Sequence, residues 1–309
     1  MVRITRELSY DEIPREFRNH VENVLKNEWM GQEILERRWG QTPLGQYFVL
    51  ITSQVLWYAV RLIVDEEHRD LELSRESAVD GSDVLRKEHF LTLEGAHNYV
   101  REKHAKLEEG VFDVHVSHRI RKLPSDAYSN PDKYLKPGDH IQRRLDGMVP
   151  FVNHEGVYIG DGLVAHINTE TATAMAKTVL SDKREAYARI DTFQKFVSSE
   201  DQEVRIIVHC LRRRSRDDIC LTARRLAEER YRSGEYNLLQ QNCQHFASYC
   251  VLGVEWMSDK GPLLEKAMFV GSIAAIIGGA AYAIYSRNSN NNEDEREQEA
   301  ISYGETTRR

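Results

Sequence analysis

An uncharged, apolar stretch near the C-terminus constrains this chain more than any other feature of its sequence. Residues 267–285 are nineteen in number and include no Asp, Glu, Lys or Arg. As a helix they would extend roughly 28 Å, close to the thickness of the hydrocarbon core of a bilayer. Small residues recur at every fourth position, which would let two such helices pack closely and homo-associate: Gly271, Ala275, Gly279 and Ala283. The stretch predicts a transmembrane helix, with a buried helix rich in Ala and Gly as the alternative.

The charges that flank this stretch predict the orientation of the chain. Lys260 and Lys266 precede it, whereas Asn and acidic residues are frequent in residues 286–309. Because positively charged flanks stay in the cytosol, we expect a single-pass membrane protein with a C-terminal anchor and a cytosolic folded part. Residues 286–309 are predicted to be a disordered acidic tail. The net charge of −7 argues against nucleic acid as a partner, and four cysteines without a C-x-x-C pair fit a reducing compartment.

The first 130 residues carry many charges around scattered apolar positions. We interpret residues 1–130 as a mainly helical region, with a buried core helix over residues 47–64 and another helix over residues 92–109. The histidines of this region are scattered and are expected on its surface: His20, His68, His89, His97 and His104. No motif in the region indicates a function, so the binding of protein partners is one role open to it.

Turn-forming residues follow, and beyond them the pattern changes to strands. Pro124, Pro131 and Pro137-Gly138 place a domain boundary near residue 130. Apolar and β-branched residues then predict strands over residues 139–143, 152–159, 163–167 and 204–208.

A helix is predicted after Ser215, whose side chain would form a capping box with Asp218. Four arginines lie just before it and at its start: Arg212, Arg213, Arg214 and Arg216. We interpret them as a solvated rim, with contact to lipid phosphates as the alternative.

The predicted hairpin carries two histidines, and their cooperation depends on the turn. A two-residue loop would pair Val157 with His166 and place His154 on the opposite face of the sheet. A three-residue loop over residues 160–162 would pair Gly156 with His166, so that both imidazoles share a face as near neighbours. The two glycines of the loop make this longer, bulged turn feasible. The alternative is that each histidine is a solvent-facing strand residue.

Cys243 opens a segment with helical spacing. The apolar positions of this segment fall on one face of a helix: Cys243, Phe246, Ala247, Cys250 and Val251. With Asn242 as the N-cap, Cys243 lies in the first turn, where unpaired backbone N–H groups and the helix dipole favour a thiolate. Such a cysteine is suited to nucleophilic chemistry or to metal ligation, and a buried inert thiol is the alternative.

Three blocks of sequence now stand in a recognisable order. They are Pro137-Gly-Asp139, His154-Glu-Gly-Val-Tyr-Ile-Gly-Asp-Gly-Leu-Val-Ala-His166 and Asn242-Cys-Gln-His-Phe246, with Arg189-Ile-Asp-Thr-Phe193 as a further match. Together they resemble the lecithin retinol acyltransferase-like family. The resemblance implies an α+β fold over residues 131–258, a circularly permuted papain-like (NlpC/P60) fold with an antiparallel sheet and a helix that carries the nucleophile. Gln244 stands where the family has Glu.

The resemblance also implies roles for three residues. Cys243 would be the nucleophile, His154 the general base, and His166 the group that orients the imidazole of His154. The implied reaction takes an acyl chain from a glycerophospholipid through a Cys243 thioester and passes it to an alcohol, an amine or water. A membrane anchor would hold such a site beside its lipid substrate. No cofactor or metal is predicted.

Three other interpretations stay open at this point. A cysteine peptidase or amidase is the nearest, because related papain-like families cleave amides. A membrane-bound scaffold that keeps the three residues without turnover is the second. A metal site is the third, although its four ligands would match no common spacing: Cys243, His245, His154 and His166.

Overall fold

The computed structural model describes eight stretches of the chain: residues 8–29, 31–74, 87–112, 118–144, 153–168, 186–212, 214–231 and 243–255. All of them belong to one compact unit. Within these stretches no helix is both long and apolar enough to cross a membrane. The transmembrane helix predicted over residues 267–285 and the tail predicted over residues 286–309 lie outside the described residues and stay predictions.

An antiparallel four-stranded sheet forms in the N-terminal part of the chain, with one helix against each face. In spatial order the strands are β1 (Glu33–Gln41), β2 (Tyr47–Gln54), β3 (Tyr58–Val64) and β5 (Glu88–Phe90), and the helices are α1 (Arg15–Glu28) and α2 (Leu93–Glu108). Helix α1 buries Val49 and Ile51 of β2, whereas α2 buries Phe48 and Leu50 from the other side. The sheet therefore separates two hydrophobic cores.

This sheet shows that the mainly helical interpretation of residues 1–130 is wrong, and so is the core helix over residues 47–64. Strands β2 and β3 occupy that stretch and are joined by a turn at residues 55–57. Because β2 lies between two helices, its side chains are buried on both faces, and the run from Phe48 to Ile51 is apolar without alternation. Periodicity does not distinguish such a run from a buried helix.

Other predictions for this region are partly confirmed. The helix predicted over residues 92–109 is α2, and the hydroxyl of its N-cap, Thr92, accepts a hydrogen bond from the backbone N–H of Gly95. The surface position expected for the histidines is wrong for His68 and His104, which are both buried. Nε2 of His104 lies 2.9 Å from a backbone carbonyl oxygen of β1, so this nitrogen is paired inside the protein.

A second sheet has seven antiparallel strands. In chain order they are β4 (Glu72–Leu73), β6 (His118–Lys122), β7 (Asp139–Arg144), β8 (Asn153–Gly160), β9 (Leu163–Asn168), β10 (Tyr187–Thr192) and β11 (Val204–His209), and in spatial order β10-β9-β8-β7-β11-β6-β4. The four strands predicted from the sequence are confirmed as β7, β8, β9 and β11. Strands β4 and β6 precede residue 131 and pair into the same sheet.

Three helices cover this second sheet. They are α3 (Phe193–Val197), α4 (Arg216–Glu228) and α5 (Cys243–Leu252). Helices α4 and α5 pack on one face, against Val157 and Ile159 of β8. Helix α3 packs on the opposite face, with Tyr158 of β8 and Val164 of β9. The predicted cap of α4 is confirmed, because the hydroxyl of Ser215 accepts a hydrogen bond from the backbone N–H at position 218.

Ion pairs join the N-terminal part to the large sheet. The carboxylate of Asp139, at the start of β7, lies 3.1 Å from Nε2 of His68 and 2.9 Å from Nη2 of Arg216. Arg216 also pairs with Glu67, whose Oε1 lies 3.3 Å from Nη2 of Arg212. The solvated rim predicted for these arginines is therefore wrong for Arg212 and Arg216, since their guanidinium groups bind carboxylates of the same chain.

Candidate active site

The turn between β8 and β9 places both histidines on one face of the sheet. Gly156 pairs with His166, and a bulge between Tyr158 and Gly160 accommodates the extra residue. The pairing expected from the longer turn is thus confirmed. A Cβ atom at position 156 would lie 3.1 Å from Cβ of His166 and 2.9 Å from a methyl group of Val164. Glycine at this position therefore gives the His166 side chain its room.

The two histidines form a buried chain of hydrogen bonds that ends on a carboxylate. Nε2 of His154 lies 2.7 Å from Nδ1 of His166, and Nε2 of His166 lies 3.1 Å from Oδ2 of Asp191. All three side chains are buried. Asp191 is also 2.8 Å from Nζ of Lys195 and 3.1 Å from Nε of Arg189. The carboxylate is therefore held in its ionised form.

This chain of hydrogen bonds assigns the tautomers of both imidazoles. A carboxylate only accepts, so Nε2 of His166 must carry its proton, and Nδ1 of neutral His166 then accepts from Nε2–H of His154. Nδ1 of neutral His154 is left with a lone pair. That atom is buried and has no hydrogen-bond partner within the described stretches. The site therefore presents a basic nitrogen of fixed tautomer.

Burial keeps this base neutral. Desolvation lowers the pKa of His154 well below 6.5, and positive charge on His166 or Arg143 would lower it further. Desolvation also lowers the pKa of His166, although the hydrogen bond and charge of Asp191 oppose this effect. Burial by itself would raise the pKa of Asp191, but the hydrogen bonds from His166 and Lys195 outweigh it and lower that pKa. At neutral pH the arrangement is two neutral imidazoles and one carboxylate.

Helix α3 fixes the rings from one side. The ring of Phe196 stacks on His154 with centroids 5.2 Å apart, and it meets His166 edge to face at 5.3 Å. The helix starts directly after Asp191, because the hydroxyl of Thr192 accepts from the backbone N–H of Lys195. One short segment thus supplies both the carboxylate and the packing aromatic. Sequence reasoning missed both residues, although Asp191 lies within the matched block that ends at residue 193.

Cys243 is the first residue of α5, as the sequence predicted. Its Sγ lies 3.9 Å from the carbonyl oxygen of Asn153, the residue that precedes His154, and Nε2 of Gln244 lies 3.4 Å from the same oxygen. The thiol is buried. It packs with the cluster on the α4–α5 face, whereas His154 lies against Phe196 on the other face. The structure brings the thiol to the strand position next to the base without a hydrogen bond between them.

The other three cysteines differ from Cys243 in position. Burial raises the pKa of Cys210 and of Cys250 to about 12, and it also raises the pKa of Cys220. Cys250 lies in the last turns of α5 and Cys220 within α4, away from a helix N-terminus. Position at the start of a helix therefore distinguishes Cys243 from these thiols and makes it the candidate nucleophile.

In the described stretches, neither the possible metal-binding group nor the cavity discussed below includes Cys243, His154 or His166. Within the described stretches, one group of three side chains lies close enough to share a metal ion: Glu67, His68 and Asp139. The guanidinium of Arg216 binds the carboxylates of both Glu67 and Asp139, so their negative charge is balanced without a metal ion. A cavity of about 520 Å³ opens beside α3 and is lined by Tyr128 and Phe193 among others, but by none of the three predicted site residues.

Comparison with known families gives a match to the part of the chain that contains this site. Residues 133–256 match the family model described as Lecithin retinol acyltransferase. These residues form a lecithin retinol acyltransferase-like domain. The rat lecithin retinol acyltransferase is 32% identical over 129 residues, which are 37% of this chain and 52% of the rat protein. The mouse protein of that name is 27% identical over 154 residues, 43% of this chain and 65% of the mouse protein. This chain thus spans between half and two thirds of the length of these relatives.

A further similarity extends beyond the acyltransferase-like domain. Egg-laying defective protein 26 of Caenorhabditis elegans is 26% identical over 264 residues, which are 76% of this chain and 78% of the worm protein. An alignment of that length includes residues outside 133–256. The N-terminal part of the chain therefore has a counterpart in that relative.

Proposed function

We propose that this protein is a thiol acyltransferase that takes an acyl chain from a glycerophospholipid and passes it to an alcohol, an amine or water. One observation carries the proposal. In an acyltransferase-like domain, a buried histidine of fixed tautomer, His154, has an unpartnered Nδ1, and the backbone carbonyl of the preceding residue, Asn153, lies 3.9 Å from Sγ of Cys243. Residues with this chemistry serve as the base for a thiol nucleophile.

The proposed reaction has two steps that share the same base. Nδ1 of His154 takes the thiol proton of Cys243, and the thiolate attacks the ester carbonyl of the lipid. Backbone N–H groups in the first turn of α5 stabilise the tetrahedral oxyanion. The carbon–oxygen bond of the ester then breaks, His154 returns the proton to the leaving alkoxide, and a lysophospholipid departs from the thioester.

The second step reverses these roles. His154 removes a proton from the acceptor, which attacks the thioester carbonyl, and the thiolate of Cys243 leaves and is reprotonated. Sγ must come within hydrogen-bond distance of Nδ1 for both steps. Catalytic hydrogen bonds often close only when substrate binds. We therefore expect lipid binding at the start of β8 to bring the first turn of α5 and His154 together.

The membrane location is part of the same proposal. An acyl donor dissolved in a bilayer is reached most easily by a site that is anchored to that bilayer. The uncharged residues 267–285 would supply a C-terminal anchor, with the acyltransferase-like domain in the cytosol. Homo-association through the small residues of that stretch, and protein partners for the N-terminal part, also belong to the proposal.

Intact-mass spectrometry tests the thioester directly. The full chain in detergent is incubated with a short-chain phosphatidylcholine, beside a Cys243→Ala variant. The full chain is needed because β4 and β6, which precede residue 131, pair into the sheet of the site. A mass gain of one acyl group that is absent from the variant and removed by hydroxylamine supports the proposal. No adduct with a thiol that iodoacetamide still modifies rapidly would point to a peptide or amide substrate.

One observation favours a second candidate, a membrane-bound scaffold without turnover. The Cys243 side chain packs on the face of the sheet opposite to His154, with no hydrogen bond between thiol and imidazole. If that separation persists with lipid bound, the thiol stays unactivated. Neither an acyl adduct nor rapid alkylation by iodoacetamide would then be found, and the scaffold would be the better account.

A further inference from the structure

Exposed apolar side chains collect at one end of the four-stranded sheet. Ten large hydrophobic side chains are exposed in the described stretches, and six of them lie at this end. They are Leu35 (37% exposed), Val55 (60%), Leu56 (82%), Trp57 (52%), Leu91 (93%) and Leu93 (36%), and we call them the apolar tip. Six large apolar groups in one place are more than the scattered exposure that is normal for a protein surface.

Three separate segments of the chain build the apolar tip. The turn between β2 and β3 supplies three consecutive residues, 55–57. Strand β5 pairs with β3 in antiparallel register, with Phe90 opposite Tyr58. One residue further along, Leu91 therefore follows Phe90 on the side where Trp57 precedes Tyr58. Leu35 lies at the bulge where β1 meets the end of β2. The sheet register, rather than chance proximity, therefore brings the apolar tip together.

We propose that the apolar tip inserts into the interfacial region of a lipid bilayer. The turn at residues 55–57 is uncharged and joins β2 to β3 at the end of the sheet, where it can enter an apolar phase without carrying charge into it. Trp57 is the side chain best suited to the boundary between headgroups and acyl chains. Because only six apolar side chains would be buried, the apolar tip would bind reversibly as a second contact of an anchored protein.

Charge near the apolar tip indicates which lipid it meets. Acidic Glu33 and Glu94 are exposed beside it. Lys87, one residue before β5, is engaged by the ring of Trp29, with Nζ 4.7 Å from its centroid, and by Gln32 at 3.2 Å. The two exposed carboxylates repel anionic lipids. The apolar tip fits a zwitterionic surface, such as phosphatidylcholine, and its insertion should not depend on salt.

This inference rests on the proposed function, because a phospholipid substrate gives the N-terminal part a reason to face the bilayer. With the apolar tip inserted, the small sheet would fix how the acyltransferase-like domain is oriented on the membrane. A C-terminal anchor by itself would leave that orientation free. The apolar tip thus gives residues before 131 a role in presenting the site to its lipid.

Fluorescence quenching by brominated lipid tests the insertion. The full chain is reconstituted in phosphatidylcholine vesicles that contain lipids brominated near the headgroup or deep in the chain. Trp29 and Trp39 are buried in the protein and Trp256 is the same in both proteins, so the difference between wild type and Trp57→Phe isolates Trp57. We expect a quenched component that disappears in Trp57→Phe, that shallow bromine quenches more than deep bromine, and that added salt leaves unchanged. Equal quenching of wild type and Trp57→Phe would overturn the proposal.

A matched pair of variants controls for misfolding and tests whether a second protein chain, instead of lipid, binds the apolar tip. Leu56→Ser with Leu91→Ser should remove the Trp57 quenching, whereas Leu221→Ser, an exposed leucine of α4, should leave it intact. If bromolipid fails to quench Trp57 while the double variant reduces the oligomeric mass in detergent, the apolar tip binds a second copy of the chain and the lipid proposal is wrong.

The failure of this inference is separable from failure of the proposed function. Insertion is measured again in Cys243→Ala, where quenching should be unchanged whether or not the thiol is catalytic. The thioester is measured again in the double tip variant with a soluble short-chain lipid, where it should form at the wild-type rate. Loss of quenching with an intact thioester overturns only the inference about the apolar tip.

Discussion

Two clusters of histidine and carboxylate lie on opposite faces of the same large sheet. On the α3 side, His154, His166 and Asp191 form what we call the open cluster. On the α4–α5 side, four residues form what we call the closed cluster: His140, Gln142, Glu155 and His209. Nε2 of His140 lies 2.8 Å from Oε2 of Glu155, and its Nδ1 lies 3.1 Å from Nε2 of His209. Both clusters join two histidines to one carboxylate, and all of their side chains are buried except that of His209, which is partly buried.

The difference between them lies in the histidine that ends each chain of hydrogen bonds. In the closed cluster both nitrogens of His140 have partners and Glu155 also accepts a hydrogen bond of 2.9 Å from Gln142, but the histidine at the end, His209, is only partly buried. In the open cluster Nδ1 of His154 has no hydrogen-bond partner within the described stretches. A nitrogen of a partly buried histidine can be hydrogen-bonded by water, whereas a fully buried basic nitrogen without a partner costs stability and can take a proton. The comparison therefore assigns catalysis to the open cluster and support to the closed one.

The largest effect is expected from removal of the base. His154→Gln keeps a polar side chain of similar size but has no basic nitrogen. We expect the rate of thioester formation at Cys243 to fall by about 10²–10⁴, the contribution typical of a general base. Single-turnover mass spectrometry with short-chain phosphatidylcholine measures this rate. His209→Gln, in the closed cluster, is the matched control. Equal loss in both variants would remove the distinction between the clusters.

The next effect concerns the carboxylate that fixes the tautomers. In Asp191→Asn the new amide can donate to Nε2 of His166, which would put protons on Nδ1 of both imidazoles and leave His154 without a lone pair toward the thiol. We expect acylation to slow roughly 10–100-fold, as for other outer-shell partners of a histidine. Asp191→Glu should recover part of the rate at unchanged melting temperature. A full rate in Asp191→Asn would show that the carboxylate does not set the tautomer.

Sequence alone could locate the open cluster only in part. His154, His166 and Cys243 were predicted from the motif blocks, and the shared face of the histidines followed from the bulged turn. Asp191 could not be assigned, because its partnership depends on β10 pairing with β9, 25 positions away from His166. The closed cluster was invisible for the same reason. Its members come from three strands that meet only in the folded sheet.

The N-terminal part shows where periodicity fails. Helices α1 and α2 have a polar face, so their spacing is legible in the sequence. Strand β2 is covered on both sides and has no polar face, so it looks like a core helix. The three residues that follow it, 55–57, are exposed and apolar. They continue the apolar run across the turn, so the hydrophobic pattern does not indicate where β2 ends and β3 begins.

A third variant tests whether the closed cluster is structural. Glu155→Gln removes the charge and turns one acceptor into a donor, so either His140 or Gln142 loses its partner. An unsatisfied buried group of this kind costs roughly 1–3 kcal/mol. We expect the free energy of unfolding to fall by that amount in denaturant titration, with acylation per folded molecule unchanged. Loss of acylation at unchanged stability would instead make Glu155, which shares the α5 face with Cys243, part of the catalytic site.

The smallest effect is a pH dependence that the closed cluster should contribute. Burial lowers the pKa of His209 well below 6.5, and positive charge on His140 and His118 lowers it further. Between that lowered pKa and 6.5, the unfolded chain binds a proton that the folded chain does not. Stability is therefore complete above pH 6.5 and falls as the pH falls through this window. Each such histidine contributes at most about 1.4 kcal/mol per pH unit.

His209→Gln should remove this contribution and leave the reaction intact, because its amide can still hydrogen-bond Nδ1 of His140. We expect a flatter dependence of the unfolding free energy on pH below 6.5, measured by denaturant titration at several pH values. His154→Gln should flatten the same dependence, since burial lowers that pKa too, but it should also abolish rapid acylation. His154 and His209 would thus affect the pH dependence of stability in the same way and differ only in their effect on acylation. If His209→Gln slowed acylation as well, the two faces of the sheet would act as one site. The unpaired, buried Nδ1 of His154 would then not distinguish a catalytic histidine from a structural one.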